Sequence, residues 1–258
     1  TLQNQHSGQL SWQIIPLTID DQQIHIERSE QLLASTTPEN SPVLYWSQAS
    51  SPGIVLGFSQ KEHILNAQTL ARTHLPVYHR HAGGTAVLVG PHLLGLDVVL
   101  PAGHPFVLSD LVESYRWFGE TWVEALRLLG VETRIVFPAE ARALREQARQ
   151  QERQAREAIL NRACYASNSS YEVVVGKRKV VGLDMIRRRH GSLLQAGVLL
   201  NWESETLAIV LGHTDEEQHL LRQELPERAI GLDRLMGREV KAPEVIAAFE
   251  KALLRYSS

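Results

Sequence analysis

The sequence predicts an α+β fold, a mixed or antiparallel β-sheet flanked by helices, and three observations carry that prediction. Short apolar runs rich in Val, Ile, Leu and aromatics, bounded by Gly, Pro or Ser, recur through residues 12–200. They come in consecutive pairs through the middle of the chain, which argues against a regular βαβ winding. Helical periodicity is confined to the stretches between and after these groups.

Strands are predicted at 12–17, 43–47, 54–58, 85–89, 94–100, 133–137, 171–175, 179–182 and 193–200, and helices at 22–35, 60–73 and 111–129. In the second helix Ser59-Gln60-Lys61-Glu62 has the pattern of a capping box, a Ser that caps while Glu62 reaches back. Residues 139–161 form a polar helical insertion, rich in strong helix formers, with Ala141, Leu144, Ala148, Ala155 and Ile159 as a thin apolar stripe. It reads as a solvated helix or partly ordered insertion, with a partner-docking helix as the alternative; interleaved Glu and Gln argue against a nucleic-acid element. Residues 203–258 are predicted as C-terminal helices, the last over 243–256 with Val245, Ile246, Phe249 and Leu253 on one apolar face. No internal repeat is visible, and residues 1–258 are expected to make a single domain.

Composition narrows the function classes. A hydrophobic share of 43% and a charged share of 21% suit a chain that buries a proper core. A net charge of -3 gives no basic field for nucleic acid. No stretch reaches the eighteen or so apolar residues of a membrane span, and the opening TLQNQHSGQL lacks the basic-then-apolar pattern of a signal peptide. One cysteine makes no internal disulfide, which fits a reducing compartment. The expectation is a soluble, cytoplasmic protein with neither a membrane nor a nucleic-acid partner.

The residues that carry chemistry begin with that cysteine, Cys164, fifteen positions before Lys179. A thiol near an ammonium has the makings of an acyl-transfer nucleophile, because the thiolate is the reactive form and a nearby cation favours it. The plainer alternative is a small buried hydrophobe. A second signal is His79-Arg80-His81-Ala82-Gly83-Gly84-Thr85-Ala86-Val87, a glycine pair before an apolar strand that lets backbone approach a ligand, with Arg80 able to meet a carboxylate or phosphate. It matches neither a P-loop nor a Rossmann fingerprint. His79 and His81, with His74 nearby, raise a metal site, but no His-Glu-x-x-His, Cys pair or carboxylate cluster completes one, so no metal is expected. No Gly-x-Ser-x-Gly supports a serine hydrolase. The third signal, residues 171–182, reads as a hairpin turning at Gly176; Lys177 and Arg178 are solvated, whereas Lys179 leads into the return strand and is held by it.

Together, residues 42–200, about three fifths of the chain, resemble the lipoate–protein ligase and octanoyltransferase family of biotin/lipoate protein ligase type. Leu44-Tyr45-Trp46 with Ile54-Val55-Leu56-Gly57-Phe58-Ser59-Gln60 is similar to its first hairpin and Gly-x-x-Gln. Arg80 through Val87 is similar to its Arg-Arg-x-x-Gly-Gly-x-x-Val acyl-pocket loop. Tyr171-Glu172 and Lys179-Val180-Val181-Gly182, followed by Arg187-Arg188 and Leu194-Gln195-Ala196-Gly197, are similar to its Lys-x-x-Gly strand and next hairpin. Cys164-Tyr165 ahead of Ser170-Tyr171-Glu172 looks like the branch that carries the acyl group on a cysteine without ATP.

The resemblance implies a biotin/lipoate protein ligase-type catalytic domain and an acyltransferase of lipoate biosynthesis. Cys164 would be its nucleophile and Lys179 its catalytic partner, favouring thiolate and shuttling the proton of the incoming amine. Arg80, Gly83, Gly84, Val87, Val181 and Gly182 would bind the acyl group. The donor would be acyl carrier protein or a lipoylated or octanoylated carrier protein, and the acceptor a lysine of a lipoyl domain, with no cofactor. The alternative is an ATP-dependent lipoate ligase, using ATP and Mg, in which Lys179 and Arg80 stabilise the acyl-adenylate. Such ligases typically carry an accessory domain, whereas the stretch from Glu203 is expected to form a transferase's closing helices. A non-catalytic binder of acyl chains or lipoyl domains is the third. Departures from the pattern are His81 at the second Arg, Leu183-Asp184-Met185 after Gly182, and Ala196-Gly197 for His-Gly; they bear on chain-length preference or on activity itself.

Overall fold

The computed structural model describes residues 11–150 and 153–256, so the opening 1–10 segment and residues 151–152 of the insertion lie outside the described residues. In chain order the elements are β1 (Gln13–Asp20), α1 (Gln22–Ser35), β2 (Val43–Ala49), β3 (Gly53–Leu56), α2 (Ala67–Thr73), β4 (Val77–His79), β5 (Val87–Val89) and β6 (Leu93–Pro101). There follow α3 (Arg116–Leu128), β7 (Arg134–Ile135), α4 (Pro138–Ala148), α5 (Gln154–Leu160), β8 (Val173–Val175), β9 (Arg178–Arg187) and β10 (Gly191–Leu199). The chain closes with α6 (Ser204–Leu211), α7 (Asp215–Arg228), α8 (Leu232–Met236) and α9 (Ala242–Tyr256).

A seven-stranded sheet runs β1-β2-β6-β10-β9-β8-β7, and a three-stranded sheet runs β4-β3-β5. The large sheet is mixed: β1 lies parallel to β2, joined by α1 as a crossover must join parallel neighbours, and the remaining pairs are antiparallel. Strand alternation divides its faces. On β6, Leu94, Leu96, Val98 and Leu100 join Trp46, Phe118, Trp122 and Phe249 in a core closed by α3 and α9. The Trp46, Trp122 and Phe249 rings meet at centroid distances of 4.3 to 6.1 Å, within range of favourable offset and edge contacts. On the opposite face of β6, Leu93, Gly95 and Asp97 look toward α1 and the small sheet. Behind the small sheet, Ile54, Leu56 and Leu88 pack with Leu160 of α5 and with α6 and α7.

The predicted strands and helices form, with differences of local cause. The 60–73 helix is a 3-10 turn at Glu62–Ile64 followed by α2, and its cap is Asn66, whose Oδ1 accepts from Thr69 N at 3.0 Å. The capping box does not form: the turn starts only at Glu62, after Lys61 in extended backbone, and the Glu62 carboxylate faces His79 Nε2 at 3.4 Å, while Gln60 bridges two loops, its Oε1 accepting from Gly57 N at 3.2 Å and its Nε2 donating to Arg162 O at 3.3 Å. The polar insertion splits into α4 and α5. α5 is not simply solvated, since Arg156 pairs with Glu224 and Glu157 with Arg228, fastening it to α7. Strand β4 went unpredicted: three residues after Pro76 carry too short a pattern. Among the described residues no helix is long and apolar enough to cross a membrane.

Candidate active site

Cys164 opens a 3-10 turn, Cys164–Ala166, directly after α5. The approach is fixed by Arg162, which donates to Glu217 at 2.5 and 3.1 Å and to Leu211 O at 2.7 Å. Backbone bonds then stitch the turn to the glycine-pair loop: Ala86 N donates to Arg162 O at 3.0 Å, and Cys164 N to Ala86 O at 2.9 Å. Lys179 Nζ, on β9, donates to Cys164 O at 2.9 Å. Both backbone polar groups of Cys164 are therefore held, while its thiol, partly exposed and unbonded to another cysteine, lines a cavity.

Lys179 is 1% exposed and forms an ion pair with the equally buried Glu172, Nζ to Oε2 at 2.7 Å. Glu172 also accepts from Ser169 N at 2.6 Å and Leu183 N at 3.3 Å. Burial pushes its carboxyl above the ordinary range, against the opposing pull of Lys179. The ammonium lies 5.4 Å from the centre of the Tyr165 ring, a cation–π distance. Tyr165 in turn lies on two facing glycines, the Gly182–Gly197 cross-strand pair, and donates its hydroxyl to Gly197 O at 2.6 Å. A Cβ at Gly197 would sit 2.5 Å from the Tyr165 oxygen, and one at Gly182 would sit 3.3 Å from it. Glycine at both positions is what lets the residue after the cysteine lie flat on the sheet.

The glycine-pair loop is pinned by Arg80. Its Nε and Nη2 donate to Gly83 O at 3.1 and 2.8 Å, Nη2 also reaches Thr85 O at 3.0 Å, and Nη1 reaches Val55 O at 3.5 Å. Its remaining polar neighbour is Asp184, at 3.6 Å. Gly84 has φ +81, and a Cβ there would lie 2.8 Å from Arg80 Nη2, 3.8 Å from Asp184 Oδ2 and 4.0 Å from Cys164 Sγ. The thiol and the Asp184 carboxylate thus share one side of Gly84.

The cavity lies between the large sheet and a roof of α1 and the small sheet, and measures about 150 Å³. That is the size of an engineered apolar cavity that takes up benzene, so it holds roughly six carbons with more at the mouth. Its floor follows the register: Gly182, Gly197, Gly95 and Ser47 face one another across β9, β10, β6 and β2. Three strand spacings span about 14 Å. Val55, Val87, Val89, Leu93 and Ala49 wall one side. A parallel polar row, Asp184, Gln195 and Asp97, walls the other. Asp97 is buried, accepts from Gln195 Nε2 at 2.9 Å, and contacts Ser29 Oγ. The Ser29 hydroxyl has two acceptors within reach, the Asp97 carboxyl and His25 O, the latter at 2.7 Å. Burial pushes the Asp97 carboxyl above the ordinary range, against the opposing pull of the Ser29 and Gln195 hydrogen bonds.

The structure brings Cys164, Lys179, Arg80, Gly84, Val87 and Gly182 together around one end of this cavity. Gly83 takes part through its carbonyl on Arg80. Val181, expected in the acyl pocket, lies elsewhere: it is buried beside its cross-strand partner Val198 in the α3–α9 core, because alternation gives the cavity face to Gly182. Lys179 Nζ meets the carbonyl of Cys164 and the Glu172 carboxylate, so it enters as a clamp on the cysteine's backbone. Glu172 and Tyr165, both quoted in the sequence blocks, belong to this unit but were not singled out there. Asp97 and Gln195 carried no local signal, since strand register alone makes them neighbours. His79 and His81 contact separate glutamates, Glu62 and Glu30.

This pairing of fold and site defines the class: the chain belongs to the lipoyl protein ligase A/B catalytic-domain family, whose model matches residues 21–254. Among individual relatives, it is 31% identical over 217 residues to an octanoyltransferase LipM from Kyrpidia tusciae, covering 83% of this chain and 75% of that protein. It is 28% identical over 213 residues to an octanoyltransferase LipM from an Exiguobacterium species, covering 82% and 74%. The fold matches a bi-partite lipoate protein ligase from Thermoplasma acidophilum with a TM-score of 0.73 at 17% identity, over 94% of this chain and 82% of that one. A lipoate-protein ligase A bound with ATP matches at 0.70 and 16% identity, over 95% and 84%.

Proposed function

We propose that this enzyme moves an octanoyl group from a carrier protein to a lysine of a lipoyl domain by way of a thioester on Cys164. The observation that carries this reading is the placement of the thiol: at one end of a largely apolar cavity with room for a medium-length acyl chain, on a turn whose N–H and C=O are both clamped. A nucleophile held this way meets the acyl carbonyl in a fixed geometry. In the first half-reaction the Cys164 thiolate attacks the donor's thioester carbonyl and expels the carrier thiol. In the second, the acceptor amine attacks the new thioester, forms the amide and releases Cys164. A thioester donor brings its own activation, so the reading needs neither ATP nor Mg, and the enzyme would work in the cytoplasm. The relatives named octanoyltransferase support it. Arg80 supports it too: its guanidinium is committed to backbone carbonyls and Asp184, which leaves a poor partner for an acyl phosphate.

The test is transfer without nucleotide. Octanoyl–acyl carrier protein plus a lipoyl domain is expected to give octanoylated lipoyl domain by intact mass, while octanoate plus ATP and Mg gives none. The reverse result would replace the transferase with a ligase.

A further inference from the structure

We infer that Asp184 sets the class of acyl donor this enzyme accepts: paired with Arg80 beside Cys164, its carboxylate admits a thioester and turns away an acyl phosphate. The inference rests on the thioester reading above and names the residue that chooses the donor. An acyl adenylate carries a negative phosphate on the oxygen bound to its carbonyl carbon. A thioester presents an uncharged sulfur at the same position. Both are activated toward a thiolate, so reactivity alone does not separate them, and the surroundings of the leaving group decide.

Gly84 marks those surroundings. It has φ +81 and no side chain, and three groups converge on the point a Cβ would occupy there: Arg80 Nη2 at 2.8 Å, Asp184 Oδ2 at 3.8 Å and Cys164 Sγ at 4.0 Å. A reacting carbonyl comes within about 3–3.5 Å of its nucleophile, so the atom leaving that carbonyl sits among these three groups. Asp184 stands two residues beyond Gly182 on β9, and alternation turns it to the cavity. Its Oδ1 accepts from Met185 N at 2.8 Å, which fixes the carboxylate, and its Oδ2 pairs with Arg80 Nε at 3.6 Å.

The charges at this end are balanced in pairs. Among the described residues, Arg80 is the one arginine or lysine that lines the cavity, and Asp184 matches it. Lys179, which meets the cysteine through its carbonyl, is matched by Glu172 at 2.7 Å. His81, next to Arg80 in the chain, contacts Glu30 instead. An arriving phosphate therefore finds no unmatched cation and a carboxylate of its own sign beside it. Placing a like charge against the wrong ligand is a direct way to gain specificity, and it costs a neutral thioester nothing. Without the Asp184 charge, Arg80 would face the same point as a free cation.

The experiment compares donors. Wild type, Asp184→Asn, Asp184→Ala and Asp184→Glu are given octanoyl–acyl carrier protein or synthetic octanoyl adenylate, and the initial rate of Cys164 acylation is followed by intact mass. Cys164→Ser measures acylation elsewhere on the chain. With the adenylate, the thiolate forms the carbon–sulfur bond, the bond from the carbonyl carbon to the phosphate oxygen breaks, and AMP departs with that electron pair. The readout is the adenylate rate divided by the thioester rate, which a merely structural role would not move. That ratio is expected to rise about tenfold or more in the Asn and Ala variants, and to stay within about threefold of wild type in Asp184→Glu, which keeps the charge. An unchanged ratio in both neutral variants, or an equal rise in Asp184→Glu, would overturn the inference. Loss of acylation by both donors in all three variants would make Asp184 a structural partner of the Arg80 loop and overturn it too. An absent thioester adduct on the wild type would instead bring down the thioester reading, and this inference with it.

Discussion

Replacing Lys179 with Met removes one partner of a buried ion pair and leaves the other in place. Glu172, 2% exposed, would keep its bonds from Ser169 N and Leu183 N but lose the cation at 2.7 Å, and Cys164 O would lose its donor. Breaking such a pair from one side costs about 3–5 kcal/mol, since the remaining charge is stranded away from water. Glu172 can escape by taking up a proton, which gives the cost a definite pH dependence. A carboxyl whose folded pKa lies above its unfolded value of 4.5 binds protons more tightly in the native state, so stability falls as pH rises from there through the folded pKa. The Lys179→Met penalty should therefore be smaller near pH 4.5 and largest above neutrality. Urea unfolding across that range measures it through the shift in midpoint at constant slope. Adding Glu172→Gln removes the stranded charge and should recover about 2 kcal/mol or more, without restoring octanoyl transfer, because the clamp on Cys164 is still gone. A penalty under about 1 kcal/mol, one that grows toward low pH, or one untouched by Glu172→Gln would refute this account of the pair.

Asp97→Asn puts a neutral side chain at a buried position where burial disfavours the ionised carboxyl, so it should match wild type at low pH and become the more stable protein as pH rises above 3.8, measured as Tm against pH. Gly84→Ala meets both a left-handed φ and Arg80 Nη2 at 2.8 Å; it should cost about 1–3 kcal/mol and slow Cys164 acylation more than tenfold, read by urea unfolding and intact mass.

How much of this was legible in the sequence depends on whether the signal was local. The strands came from apolar runs and the site from three short blocks, each a turn or strand whose chemistry sits within a few residues. The structure adds what only register supplies. Asp184, Gln195 and Asp97 are far apart in the chain and become one wall because β9, β10 and β6 are neighbours. Val181 and Gly182 are adjacent in the blocks, and alternation decides that the glycine meets the cavity. The Ser59 capping box failed because Glu62, its reciprocal partner, begins the turn instead of sitting inside it and faces His79 on β4. Glu172 was visible as part of a Tyr-Glu strand, but its burial against Lys179 required the β8–β9 hairpin to fold with its irregularity at Val173 and Val174.

The most direct test of the central claim is the intact mass of the protein after incubation with octanoyl–acyl carrier protein, beside a Cys164→Ser control. The account predicts a single octanoyl adduct on the wild type, released by hydroxylamine at neutral pH and absent from the control. An adduct of equal yield on Cys164→Ser, or octanoylation of a lipoyl domain by that variant at the wild-type rate, would contradict it.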